Sequence, residues 1–128
     1  MNDKIRVYVD VFCYKSSSAG IKTYIDQLYL GFKESNNKKI EYIFSHVISN
    51  QTRNSIYFNS KSRFIRWIYH INYFIWKQIL LPIKVYFNNA DYLICPDFVL
   101  PFYKLKAKKI CVIHDTLFWD YPKNYNFL

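Results

Sequence analysis

Two hydrophobic periodicities alternate along the first fifty residues. Ile5-Arg6-Val7-Tyr8-Val9-Asp10-Val11-Phe12 is β-branched and aromatic with polar positions interleaved, which predicts a first strand over 5–12. Cys13 to Ala19 is small and serine-rich and reads as a loop. From Gly20 the period lengthens: Ile21, Tyr24, Ile25, Leu28, Tyr29 and Phe32 recur at steps of three and four, with Lys22, Thr23, Asp26 and Gln27 opposite them. That is the stripe of an amphipathic helix. Asn36-Asn37-Lys38-Lys39 breaks it, Ile40 to Val47 alternates as a second strand, and Gln51 to Ser62 is polar and loop-like.

Arg63 to about Leu81 predicts a long helix stopped near Pro82, since proline removes a backbone donor and clashes with the preceding turn. Phe64, Trp67, Ile68, Ile71 and Ile75 share one face, whereas Arg63, Arg66, His70, Tyr73 and Lys77 gather on another. Ile65, Tyr69 and Trp76 fall between, so the apolar arc is broader than one packing contact requires. Val85-Tyr86-Phe87 suggests a second short helix. Tyr92 to Cys95 and Lys109 to Ile113 are short apolar runs of the kind found in strands buried on both faces of a parallel sheet. Strand, loop, helix and strand in that order open a βαβ unit, and there is no internal repeat or low-complexity linker. A single Rossmann-like α/β domain over 1–128 is the expectation.

Composition narrows the choice. With 52% hydrophobic and 21% aromatic residues the chain is no disordered tail, and 128 residues suffice for one real core. Eighteen Lys and Arg against nine Asp and Glu give +9, a surplus that favours anionic partners. Three cysteines, Cys13, Cys95 and Cys111, are odd in number and lack CxxC spacing, so buried thiols in a reducing cytosol are expected rather than a disulfide framework or a zinc site. Met1-Asn2-Asp3-Lys4 runs directly into the first strand and carries no secretory signal. Trp67 to Trp76 is uncharged but far shorter than the ~20 residues a spanning helix needs, so no transmembrane segment is expected.

Candidate chemistry sits at strand ends, because open α/β sheets bind ligands beyond the carboxyl edge. His114 and Asp115 follow the last apolar run directly. Asp10 lies on the first strand toward its end, where it would orient the serine loop, and Asp97 follows Pro96, where it would meet an acceptor hydroxyl; a structural role is the plainer reading of each. Ser16-Ser17-Ser18-Ala19-Gly20 precedes a helix whose first amides attract phosphate. Neither G-x-G-x-x-G nor a Walker lysine is present, and taken alone the segment is a serine-capped helix. His46 and His70 read as structural. No HExxH, Ser-His-Asp order or metal-ligand cluster supports a hydrolase or metalloenzyme. Arg63, Arg66 and Lys77 beside Tyr69, Tyr73 and Trp76 read either as a solvated edge or as an anionic membrane surface; nucleic acid is not expected, since no recognition signature accompanies the basic residues.

Lys108-Lys109-Ile110-Cys111-Val112-Ile113-His114-Asp115-Thr116-Leu117-Phe118, its continuation to Tyr125, and Asp91 to Pro101 resemble the amino-terminal half of family-4 glycosyltransferases. Ala19-Gly20-Ile21-Lys22-Thr23-Tyr24 is similar to the glycine-rich entry of that family's first helix, with Ala19 in place of the first glycine. The resemblance implies the acceptor-side domain of a GT-B fold, a parallel sheet with helices on both faces. It implies retaining transfer from a nucleotide-sugar donor to a polysaccharide or lipid-linked acceptor in bacterial surface glycan synthesis, with no bound metal or cofactor. Such an enzyme is cytoplasmic, peripheral on the inner membrane. His114 would reach the transferred sugar, Asp115 would hold the following loop, and Ala19 and Gly20 would lie near the donor diphosphate. The carboxyl-terminal domain with its E-x7-E motif is absent, so the 128-residue chain alone is expected to be inactive. The alternative is a stand-alone acceptor-binding or scaffolding subunit with a separately encoded catalytic partner; the downstream coding sequence discriminates the two.

Overall fold

A computed structural model describes residues 4–17, 19–35, 37–48 and 63–114. Four strands, β1 (Ile5–Val9), β2 (Ile40–Phe44), β3 (Tyr92–Cys95) and β4 (Lys108–Cys111), form one sheet in the order β2-β1-β3-β4, every pair parallel. In the register, Val9 lies opposite Phe44 on one side and Ile94 on the other, and Cys95 opposite Cys111. β1 is central, which is why Val7, Tyr8 and Val9 are all buried and its pattern is nearly continuous rather than alternating.

Period-two geometry splits the core into two clusters. Val7 and Val9 pack with Ile25 of α1 (Ala19–Glu34), joined by Phe32, Tyr42, Phe44 and Ile94. Tyr8, Leu93 and Cys95 point the other way, onto Trp76, Leu81, Val85 and Ala107. The chain is thus an α/β Rossmann-like domain with helices on both faces of a parallel sheet.

Element bounds depart from the sequence expectation where polar side chains intervene. The first strand stops at Val9 rather than Phe12 because the Asp10 carboxylate accepts the Phe12 backbone N–H at 3.1 Å, and residues Phe12–Lys15 then close a 3-10 turn in the expected loop. β2 ends at Phe44 rather than Val47, where Ser45 turns its hydroxyl to the Val11 backbone N–H and to Asp10. β4 starts one residue before the expected Lys109 and ends at Cys111.

The long helix is the larger departure. α2 (Arg63–Ile75) does not stop near Pro82; it passes through a π-helical turn, Trp76–Leu80, into α3 (Leu81–Phe87). Pro82 sits just past the π turn inside this continuous helix, and the Gln78 carbonyl that its missing N–H would have met accepts from the Tyr103 hydroxyl instead. The wide turn also buries three successive residues, Trp76, Lys77 and Gln78.

The orientation of α2 is the reverse of what its apolar stripe suggests. No residue of α2 is buried, and Phe64, Trp67, Ile68, Ile71 and Ile75 are exposed. Tyr69 and Tyr73 turn inward instead, because their hydroxyls have polar partners there: Ser16 for Tyr69 and Asp97 for Tyr73. Among the described residues no helix is long and apolar enough to cross a membrane.

Candidate functional site at the carboxyl edge of the sheet

β1 and β3 are neighbours whose connections leave toward opposite faces of the sheet, so the crevice expected of such a sheet falls between their carboxyl ends, where buried charged side chains fill it. Asp10 follows β1 immediately and Asp97 lies just past β3; the π turn delivers Lys77 between them. The Lys77 ammonium is 2.6 Å from Asp10 Oδ2 and donates to Asp97 Oδ1 at 2.7 Å, and the residue is only 1% exposed. Asp10 Oδ1 accepts from Trp76 Nε1 at 3.0 Å, from the Phe12 amide and from the Ser45 hydroxyl at 3.2 Å. Asp10 Oδ2 meets the ammonium as an ion pair without a well-directed hydrogen bond. Tyr73 donates its hydroxyl to Asp97 Oδ2 at 2.6 Å.

Burial alone would lower the Lys77 pKa, but the facing charges of Asp10 and Asp97 outweigh it and hold the value raised. Lys77 is therefore an ammonium at neutral pH. Burial, reinforced by Asp97, raises Tyr73. Burial also pushes the Cys13 and Cys95 thiols up to about 12, so both stay protonated and are poor nucleophiles. None of these groups is poised for proton transfer near pH 7; the cluster ties β1, β3 and the crossover helix together at the crevice. Asp10, Cys95 and Asp97 offer three ligand atoms within 4.8 Å of one another, yet the Lys77 ammonium already bridges the two carboxylates and serves as their cation.

His114 lies three residues beyond β4. Its Nε2 is 2.6 Å from the Pro96 carbonyl, which can only accept, so Nε2 carries the proton and Nδ1 of the neutral ring is left as an acceptor. The ring stands edge-on to Tyr24 of α1, centroids 4.8 Å apart. Tyr24 is one turn from Gly20, so His114 and the start of α1 share one side of the carboxyl edge. Gly20 is exposed, and a Cβ built there would meet nothing within 4 Å. Ala19 begins α1.

Several sequence expectations change. Lys77 and Trp76, read as membrane-surface residues, are buried: Lys77 lies one turn beyond the inward-facing Tyr73 and shares its partner Asp97, and Trp76 donates to Asp10, whereas Arg63 and Arg66 remain exposed. Asp10 holds Ser45 and the Phe12 amide, whereas the Ser16 and Ser17 hydroxyls donate to the Cys13 carbonyl. Both oxygens of Asp97 are committed to Tyr73 and Lys77, so this carboxylate is not free for an acceptor hydroxyl. Asp115 and the 118–125 segment lie outside the described residues. Tyr73, Ser45 and Cys95 join the cluster without a sequence motif that marks them. Two acids at the ends of strands flanked by apolar residues are a signal for a buried cation, and Lys77, set in Trp76-Lys77-Gln78-Ile79-Leu80, is one of two lysines, with Lys84, that stand in largely apolar helical surroundings.

A cavity of about 750 Å³ lies at the opposite, amino end of the sheet, lined by residues that include Ile5, Pro82, Val85, Asp91 and Lys108. It holds no histidine, cysteine or buried acid. The fold and the polar cluster together define the class, an α/β protein with a parallel sheet and a buried charged cluster at the carboxyl ends of its central strands. No family model, curated protein or solved structure matches the chain.

Proposed function

We propose that the chain is the amino-terminal, acceptor-side part of a retaining glycosyltransferase that moves a sugar from a nucleotide-sugar donor to a polysaccharide or lipid-linked acceptor on the cytoplasmic side of a bacterial inner membrane. The observation that carries this reading is the contact of His114 with Tyr24. It brings the strand-end histidine to the same side as the Gly20 entry of α1, where helix amides favour a diphosphate and a Cβ added at Gly20 would meet nothing within 4 Å.

In the reaction, the bond from the anomeric carbon to the donor phosphate breaks and the acceptor oxygen bonds to that carbon on the same face. The acceptor proton leaves with the nucleoside diphosphate. His114, with Nε2–H held by Pro96 O, would use Nδ1 to accept a hydrogen bond from a hydroxyl of the transferred sugar. Asp10, Lys77 and Asp97 would act as positioning residues, holding the β1 and β3 ends that frame the crevice. No metal is needed for these roles.

The test is incorporation of labelled sugar from a panel of nucleotide sugars into a bacterial membrane-lipid extract by the product of the complete reading frame. One donor should be turned over, and His114→Ala should lower turnover at least ~10²-fold, the low end for a group that contacts a transition state. Undiminished kinetics in a folded His114→Ala protein, or no turnover of any donor, would contradict the reading.

A further inference from the structure

We infer that the outward face of α2 and its continuation into α3 is a docking surface for an anionic lipid bilayer. Phe64, Trp67, Ile71 and Phe74 stand out from α2, with Phe64 73% and Trp67 68% exposed, and Ile79 and Ile83 extend the stripe past the π turn. Next around α2 come Arg63, His70 and Arg66, all exposed, before the inward-facing Tyr73 is reached. Lys84 is exposed on α3, and no Asp or Glu occurs between 63 and 87.

An apolar arc edged by cations is the pattern of a helix that lies in the membrane interface, with its rings in the acyl boundary and its guanidinium groups at the headgroup phosphates. At ~1.5 Å per residue the continuous 63–87 helix presents this surface over roughly 37 Å, parallel to the bilayer plane. Charge chooses the occupant. Two copies of this face would bring arginines against arginines with no acid of the helix to pair them, and the whole chain carries +9. An acidic bilayer supplies both the apolar phase and the opposite charge. The inward residues Tyr69, Tyr73, Trp76 and Lys77 hold the helix to the domain while the opposite face remains available. Docking of this kind would set the carboxyl-edge crevice beside a lipid-linked acceptor, but binding does not depend on sugar transfer and is read without it.

The purified chain should sediment with vesicles of phosphatidylglycerol and phosphatidylcholine and stay in the supernatant with phosphatidylcholine alone. Arg63→Glu with Arg66→Glu should weaken binding at least roughly thirtyfold, since each basic residue near an anionic surface contributes ~1 kcal/mol. Trp67→Ser with Ile71→Ser should abolish binding at physiological salt with an unchanged circular dichroism spectrum, because both side chains are exposed. In the unaltered chain, lipids brominated in the acyl region should quench tryptophan emission, and Trp67→Phe should remove most of that quenching while binding persists. Failure to sediment with anionic vesicles, absence of quenching, or a concentration-dependent dimer that Trp67→Ser with Ile71→Ser dissociates would overturn the proposal; the last would assign the face to a second copy.

Discussion

Lys77 carries one positive charge between two buried carboxylates, and that imbalance ranks the residues of the cluster. Lys77→Met would leave Asp10 and Asp97 facing each other without a cation, and breaking a buried ion pair in this way costs about 3–5 kcal/mol. Asp97→Asn keeps the shape and leaves one acid for one base, so it should cost clearly less. Urea unfolding monitored by circular dichroism checks the order; equal midpoints for Lys77→Met and the unaltered chain would show that the triad contributes nothing to stability. Asp10, Asp97 and His114 were legible in the sequence because strand ends are where an α/β sheet places such groups. Their partners were not. Lys77 reaches them from the side of the helix that Tyr73 turns inward, whereas by residue type it groups with Arg63 and Arg66.

Apolar runs located all four strands and both helical regions, since burial on a parallel sheet leaves little alternation to misread. Their bounds were lost where a side chain competed with the backbone, as at Asp10 and Ser45. The direction in which α2 faces was also illegible: the apolar stripe of Phe64, Trp67 and Ile71 is what a core-facing side looks like, whereas two tyrosine hydroxyls with inward partners turn the helix round. α1 does pack through its apolar stripe, and it yields a prediction of its own. Gly31 lies inside this helix with nothing within 4 Å of a built Cβ and no positive φ, so Gly31→Ala should raise stability by ~0.4–1 kcal/mol through the unfolded chain's entropy. Gly20→Ala should fold equally well by the same criterion, yet lower sugar transfer if a diphosphate approaches there. A lower melting temperature for Gly31→Ala would contradict the first statement, and unchanged transfer by Gly20→Ala the second.

At the scale of the molecule, the buried titratable groups act in one direction. Lys77, Tyr73, Cys13 and Cys95 all hold their protons more tightly folded than unfolded, the lysine through its carboxylates and the others mainly through burial. Above their ordinary values the unfolded chain binds fewer protons than the native one, so unfolding free energy falls as pH rises. Their contribution is fully present below about pH 8.5, where unfolded thiols still hold their protons, and is lost progressively toward pH 12 and beyond. Thermal melts across about pH 8 to 12 should show a steady decline, and a flat profile would mean that these groups are not buried as described. The sheet also offers two distinct ends, a charged carboxyl edge and a roomy cavity at the amino end, and the functional account depends on the first. Proton–nitrogen correlation spectra of the labelled chain, titrated with nucleoside diphosphates and their sugars, separate them most directly. The account predicts shifts concentrated at Gly20, Tyr24 and His114. Shifts confined to Ile5, Asp91 and Lys108 at the amino-end cavity, or none at all, would contradict it.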